Sequence, residues 1–477
     1  MTDNKYTFRS HPIMIWAHIK PFLFILLLPL FKAGIQYLVD KEITGVILGE
    51  SIATVLLFLY AITKQRSFRL ILCDNKITIR YGAYLRVESV VDISSLSSVE
   101  QLKNPTDYLF NTVTFRINTE SGKIKKSDFE FKLSKKDADK LISVISPLKN
   151  SVAIKFSPIR VGLMVATTSS VVTGLFIAVP IIRGLGKFIG MGYEQKLFFE
   201  LNSKIESINT LVPPVINTVT VVFAVLYLVS FVYSFLRFVN FNISAGDDML
   251  EVSAGLFIHR VIRFKPQAVN AICVEQSPVM RLFKRFMLRV DIAGYGHRRG
   301  ETAVVVPSTV KSAVHHYFDL FFPDVKNNAE RIRPYKDNSW RFYSLPCIAL
   351  CLVIFVSFTV VNITVYFTEL VIFITIIAVL VCFYFMTVSQ YNFKHSAISF
   401  DNTVYARGSK YTYIRSMYCK YNKIGVITIT RYPLDREIGT CNVKIAVRSE
   451  WADSIVVRHI SYKKIIRQID NLYRIYE

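Results

Sequence analysis

The densest group of side chains able to do chemistry is a basic run, Arg281, Lys284, Arg285 and Arg289, interleaved with Met280, Phe283, Phe286 and Met287. Cations at this spacing attract an anionic partner, and beside an acidic membrane leaflet each Lys or Arg contributes about 1 kcal/mol. The sulfur and ring side chains would let part of such a patch enter a lipid interface. A turn or short helix after Pro278 would bring Arg281, Lys284 and Arg285 together as i, i+3 and i+4 neighbours. Basic and aromatic residues also serve nucleic-acid binding. Here the charge is spread along the whole chain, so no nucleic acid is expected.

Catalysis needs titratable groups that converge, and the sequence offers few. His315 and His316 are adjacent, and helical neighbours point about 100° apart, which prevents joint chelation. The segment Gly294-Tyr295-Gly296 before His297 to Gly300 reads as a hairpin between strands, and no phosphate-cradling, zinc-protease or nucleophile-elbow motif is present. The seven cysteines include no C-x-x-C pair, which argues against a disulfide framework or zinc knuckle. The expectation is therefore a non-enzymatic protein with no cofactor and no metal.

The elements that must position the basic run begin with lipid. The chain is 52% hydrophobic over 477 residues and carries a net charge of +23, a composition expected of a membrane protein facing an anionic surface. Six apolar stretches approach the length of a bilayer crossing: Ile13–Phe31, Gly45–Thr63, Val161–Ile182, Leu211–Leu236, Tyr343–Val365 and Leu370–Val388. They pair into hairpins at 13–63, 161–236 and 343–388. Lys32, Lys41, Arg183, Lys187, Lys196 and Lys204 fall in the connectors; apart from Lys20, the other cations fall outside the spans on the opposite side. Because cytoplasmic loops carry the Lys and Arg excess, both termini and the three long segments are expected in the cytoplasm of a bacterial cell, below its inner membrane.

Those segments, 64–159, 237–336 and 391–477, share one plan. Short alternating strands such as Lys76 to Tyr81 lead to a glycine (Gly82, Gly255, Gly408) and then to an arginine (Arg86, Arg260, Arg415). Each segment closes with an amphipathic helix, whose apolar face is Ala138, Leu141, Ile142 and Ile145 in the first. In the second it is Val310, Ala313, Val314, Tyr317 and Phe321, and in the third Tyr462, Ile465, Ile466, Ile469 and Tyr473. Val99-Glu100-Gln101 through Ile117 lies over Val274-Glu275-Gln276 through Ile292 without a gap, and Pro278 to Arg281 lies over Pro433 to Arg436.

These features resemble the bacterial PH-like, membrane-flanked domain family in its long, three-domain form. Arg9-Ser10-His11-Pro12-Ile13 resembles the family's opening, and Glu275, Gln276, Ser277 and Pro278, with the residues flanking them, resemble its central pattern. Domain three departs from it with Arg431 where Gln276 stands, and domain one lacks the Ser-Pro pair. The resemblance implies an α+β membrane protein: six transmembrane helices in three hairpins, each followed by a cytoplasmic PH-like β-barrel capped by a C-terminal helix. It further implies a scaffold that binds anionic lipid head groups or a partner, such as a smaller one-domain relative, with envelope defence as the analogous role. A small-solute or lipid transporter is the competing expectation.

Overall fold

Alternation of apolar and polar residues writes the strands. Within Lys76–Tyr81, Ile77 and Ile79 are buried while Lys76 and Arg80 are exposed. Asp74 and Asn75, at φ +47° and +63°, supply the left-handed pair that a two-residue hairpin turn requires. The computed structural model describes residues 6–20, 22, 44–82, 84–120, 127–169, 214–296, 303–326, 329–335, 339–363, 368–410, 413–448 and 454–476.

One element order recurs. In the first repeat β1 (Tyr6–Arg9) pairs with β2 (Arg69–Cys73), followed by β3 (Lys76–Tyr81) and β4 (Val87–Asp92). A 3-10 turn at Ile93–Ser95 then leads to β5 (Leu96–Lys103), the short helix Pro105–Leu109, β6 (Thr112–Thr119), β7 (Phe129–Ser134) and the helix Lys135–Ile145. The second repeat has β8 (Val152–Lys155), β9 (Asn242–Ala245), β10 (Leu250–Ala254), β11 (His259–Phe264) and a turn at Pro266–Ala268. It continues with β12 (Val269–Gln276), the short helix Pro278–Leu282, β13 (Arg285–Ile292), β14 (Ala303–Val310) and the helix Lys311–Phe321. The third has β15 (Ala397–Ser399), β16 (Thr403–Lys410), β17 (Tyr413–Lys420), a turn at Tyr421–Lys423, β18 (Ile424–Thr430), the short helix Pro433–Ile438, β19 (Thr440–Val447), β20 (Ser454–Ser461) and the helix Tyr462–Tyr476.

The chain forms two compact units. One comprises Met1–Ile154, Ile243–Ala268 and Ala293–Glu301; the other comprises Lys155–Asn242, Val269–Ile292 and Thr302–Glu477. In the first, Leu70, Ile77, Val99, Phe115 and Phe131 join Ala138, Leu141, Ile142 and Ile145 of the closing helix in one core. Ser134 caps that helix by accepting from the Asp137 N–H at 3.3 Å. In the second, Cys273, Ile398, Val404, Met417, Val443, Ile455 and Ile465 share a core.

The expected fold needs two corrections. Among the described residues, two helices rather than six are long and apolar enough to cross a membrane: Ser339–Ile363, with mean hydropathy 2.5, and Ile374–His395, with 1.9. The helix Pro158–Thr168 is shorter than a crossing needs, while Val222–Phe238 is the apolar part of the 25-residue helix Pro214–Phe238. The expected spans over 23–31 and 170–182 lie outside the described residues, as do the connectors they border. The repeats, moreover, are not three separate closed barrels. β11 of the second repeat pairs with β5 of the first, and β17 of the third pairs with β12 of the second. The resulting sheets run β7-β6-β5-β11-β10-β9-β8 and β14-β13-β12-β17-β16-β15. The physical reason is the 3-10 turn, which carries each repeat out of its first sheet, so that strand five turns its free edge to the next repeat instead of closing on strand four.

Asp435 shows how a short helix is anchored. Its carboxylate, fully buried, accepts from Arg341 Nη1 at 2.7 Å, Thr440 Oγ1 at 2.9 Å and the Tyr432 N–H at 3.1 Å. Burial alone would push this carboxyl up, but the hydrogen bonds from Tyr432, Thr440 and Arg341 outweigh it and hold the group below the usual carboxylate range. Asp107 repeats the device with Lys132, Thr112 and the Asn104 N–H. Asp435→Asn should therefore cost about 3–5 kcal/mol in chemical unfolding of the detergent-solubilised chain, since Arg341 is left buried without its counter-charge. A carboxyl depressed by folding stabilises above its unfolded pKa of about 4 and loses that contribution as pH falls through the folded value. The gap between parent and variant should begin to narrow below about pH 4 and shrink further toward the depressed folded value; a gap that stays constant on acidification would assign the stabilisation to another group.

Candidate anion-binding site

Strand alternation sorts the residues of the central pattern onto two faces of β12. Glu275 lies on one face, where Arg415 Nε approaches at 3.3 Å and Arg289 Nη1 at 3.5 Å. Val274 and Gln276 lie on the other, against a cavity of about 200 Å3. The Gln276 amide donates to the Arg285 carbonyl at 3.1 Å, which fixes its side chain at the cavity wall.

Phe286 of β13 and four further elements complete that cavity. The helix Lys311–Phe321 contributes Lys311 and His315, and β16 contributes Tyr405 and Arg407. β17 contributes Ser416 and Tyr418, and the last turns of the helix Thr368–His395 contribute Tyr391 and His395. Arg331 closes the rim with its guanidinium 4.6 Å from the Tyr405 ring centroid. Among the described residues no carboxylate lines the cavity. Arg407 Nη2 donates to Tyr391 Oη at 3.0 Å, while the buried Arg407 Nε has no hydrogen-bond partner among the described residues. Burial, and then the neighbouring Tyr405, push the Tyr418 hydroxyl up to about 12, so it stays a protonated donor at neutral pH. Cationic donors, one of them unfilled, around a volume this small suit a phosphate or another compact anion.

The basic run does not gather as a helical cluster. The helix after Pro278 ends at Leu282, and Lys284 takes a left-handed turn at φ +52° before Arg285 opens β13. Arg281 stacks 4.0 Å from the Tyr391 ring centroid, which brings it to the cavity side. Lys284 is exposed, Arg285 half-buried, and Arg289 pairs with Glu275. Ser277 caps the short helix by accepting from the Met280 N–H at 3.1 Å, and Pro278 takes its first position. Of the predicted residues, only Gln276 thus lines the cavity, while Arg281 stacks on Tyr391, one of its lining residues. Tyr391, Arg407, Arg331 and Lys311 were not expected there. Their one sequence signal was a shared basic and aromatic composition, since four separate elements supply them. Among the described residues no group of three or more His, Cys, Asp or Glu side chains is arranged to hold a metal ion.

Glu275 should behave as a structural ion rather than a surface charge. Glu275→Gln removes the counter-charge of Arg415, whose side chain is 3% exposed, and should destabilise the chain by about 3–5 kcal/mol. Lys284→Gln should change stability by less than about 0.5 kcal/mol. Similar unfolding midpoints for the two variants would contradict this assignment.

Comparison with known proteins gives one match. The family model described as bacterial PH domain matches residues 22–149 and 170–317, more than half of the chain. No curated protein and no solved structure matches.

Proposed function

The chain belongs to the bacterial PH domain family, and we propose that it is a non-enzymatic, membrane-anchored scaffold that captures anionic, phosphate-bearing lipid head groups at the Arg407 cavity. The observation that carries this reading is that no carboxylate among the described residues lines the cavity, while two of its members, Tyr391 and His395, come from the end of an apolar helix long enough to cross a membrane. A head group lying at the membrane surface would meet Lys311, Arg331 and Arg407 without competing carboxylates.

The anchor in this reading is the hairpin Ser339–Ile363 and Ile374–His395. Leu352, Phe355, Phe358 and Leu380 are each at least 60% exposed on it, an apolar surface that lipid would cover. Thr375 Oγ1 donates to Ser357 Oγ at 2.6 Å and ties the two helices together. Basic residues flank the hairpin, Arg333 and Arg341 before or at its start and Lys394 at its end, which orients both flanks to the cytoplasmic side of a bacterial inner membrane.

Native mass spectrometry of the detergent-solubilised full chain tests the proposal. Phosphatidylglycerol should remain bound in preference to phosphatidylcholine, and Arg331→Gln with Arg407→Gln should cut its retention about tenfold. The preference should also weaken as salt rises. Equal retention of both lipids by the parent, or equal retention by parent and double variant, would reject the head-group reading.

A further inference from the structure

The joints between repeats share one ionic arrangement. In the first, Glu100 of β5 meets Arg260 of β11 and, at 3.7 Å, Arg116 of β6. In the second, Glu275 of β12 meets Arg415 of β17 and Arg289 of β13. Arg260 and Arg415 each stand six residues ahead of the 3-10 turn that follows, and they lie opposite Leu102 and Glu275, each three residues ahead of the proline that opens the short helix. The carboxylate shifts by one pleat, from Glu100 to Glu275, yet stays on the same face.

Two edges of the same kind are left over. Among the described residues nothing pairs with the outer edge of β4 or of β18. By the same spacing, Val87 stands in β4 where Arg260 and Arg415 stand in the joints, and Thr428 and Thr430 of β18 stand where the carboxylates stand. Guanidinium and carboxylate are thus both replaced by neutral, β-branched residues. A strand bearing the glutamate would bury an uncompensated charge against Val87, and a strand bearing the arginine would do so against Thr428 and Thr430. The two edges instead match each other. Both edges carry exposed apolar side chains, Val90 and Val426 each being 58% exposed.

We infer that β18 of one copy of this chain pairs antiparallel with β4 of a second copy, continuing the joint that already links its repeats. The register of the existing joints sets Thr430 opposite Val87, Thr428 opposite Ser89 and Ile427 opposite Val90. Arg431 falls opposite Arg86 beyond the strand ends, a position at which the first joint also sets two basic residues, His259 and Lys103, opposite one another. The contact is head-to-tail, so it yields chains or rings of copies.

Paired cysteines in two differently tagged full-length copies test this in membranes. Ser89→Cys in one copy and Thr428→Cys in the other should give a disulfide-linked pair on mild oxidation, absent with either substitution alone. Ser89→Cys with Ile424→Cys, four residues out of register, should link at least about tenfold less, because a disulfide needs Cα atoms within about 7 Å. Val90→Lys with Val426→Lys should remove higher oligomers seen by mass photometry of the solubilised parent. A parent that is monomeric, equal linking in both registers, or linking of β4 to a different protein would overturn the inference. None of these outcomes bears on lipid retention, so the head-group reading is tested separately.

Discussion

Two buried carboxylates, each held between a pair of arginines, govern how the repeats of this chain are connected. Glu100 has no exposed side-chain surface and Glu275 is 11% exposed. Ions so placed are costly unless fully paired. Each glutamate draws one arginine from its own sheet neighbour and one from the following repeat. A strand without the correct arginine would leave the carboxylate unpaired, so the ionic group selects which strand may occupy the edge. Net stabilisation comes chiefly from the backbone ladder and the apolar cores, while the ions discriminate among strands.

That discrimination shapes the candidate site. Pairing β17 to β12 sets Gln276 opposite Ile414 and Glu275 opposite Arg415. With Glu275 turned to the ionic face, the other face of the same strands keeps Val274, Gln276 and Ser416 beside Tyr405 and Arg407 of β16. The cavity is therefore a consequence of the joint. Glu275 is engaged on the far side, and among the described residues the cations on the cavity side have no acidic partner, Arg281 and Arg331 stacking on tyrosine rings instead.

Short helices after strand five act as adjustable fittings. Asp107 and Asp435 anchor them in the first and third repeats through buried hydrogen bonds, whereas the second uses Ser277 as the cap and the apolar Met280 at the corresponding place. The same turn is thus satisfied by different chemistry, which explains why low identity coexists with a repeated order of elements.

Local rules were enough to read much of this in the sequence. Period-two alternation marked the strands, Pro278 and Pro433 marked the matching short helices, and the spacing of Ala138, Leu141, Ile142 and Ile145 marked the buried face of the first closing helix. Each depends on residues within a turn or two of one another. The gap-free match of Val99–Ile117 to Val274–Ile292 is two residues out of step, since Pro105 rather than Lys103 corresponds to Pro278. The slip escaped notice because moving a strand by two residues preserves its faces. Arg86 was likewise set one residue from the position held by Arg260, and Gly408 proved to lie within β16 opposite Arg415. Hydropathy marked six apolar stretches, and among the described residues two helices are both long and apolar enough to cross. Which strand edges meet, and so which cations converge on one cavity from β16, Lys311–Phe321 and the end of Thr368–His395, was decided only by the tertiary structure. Pairing between strands more than a hundred residues apart depends on edge chemistry and turn geometry, and neither leaves a periodic trace along the chain.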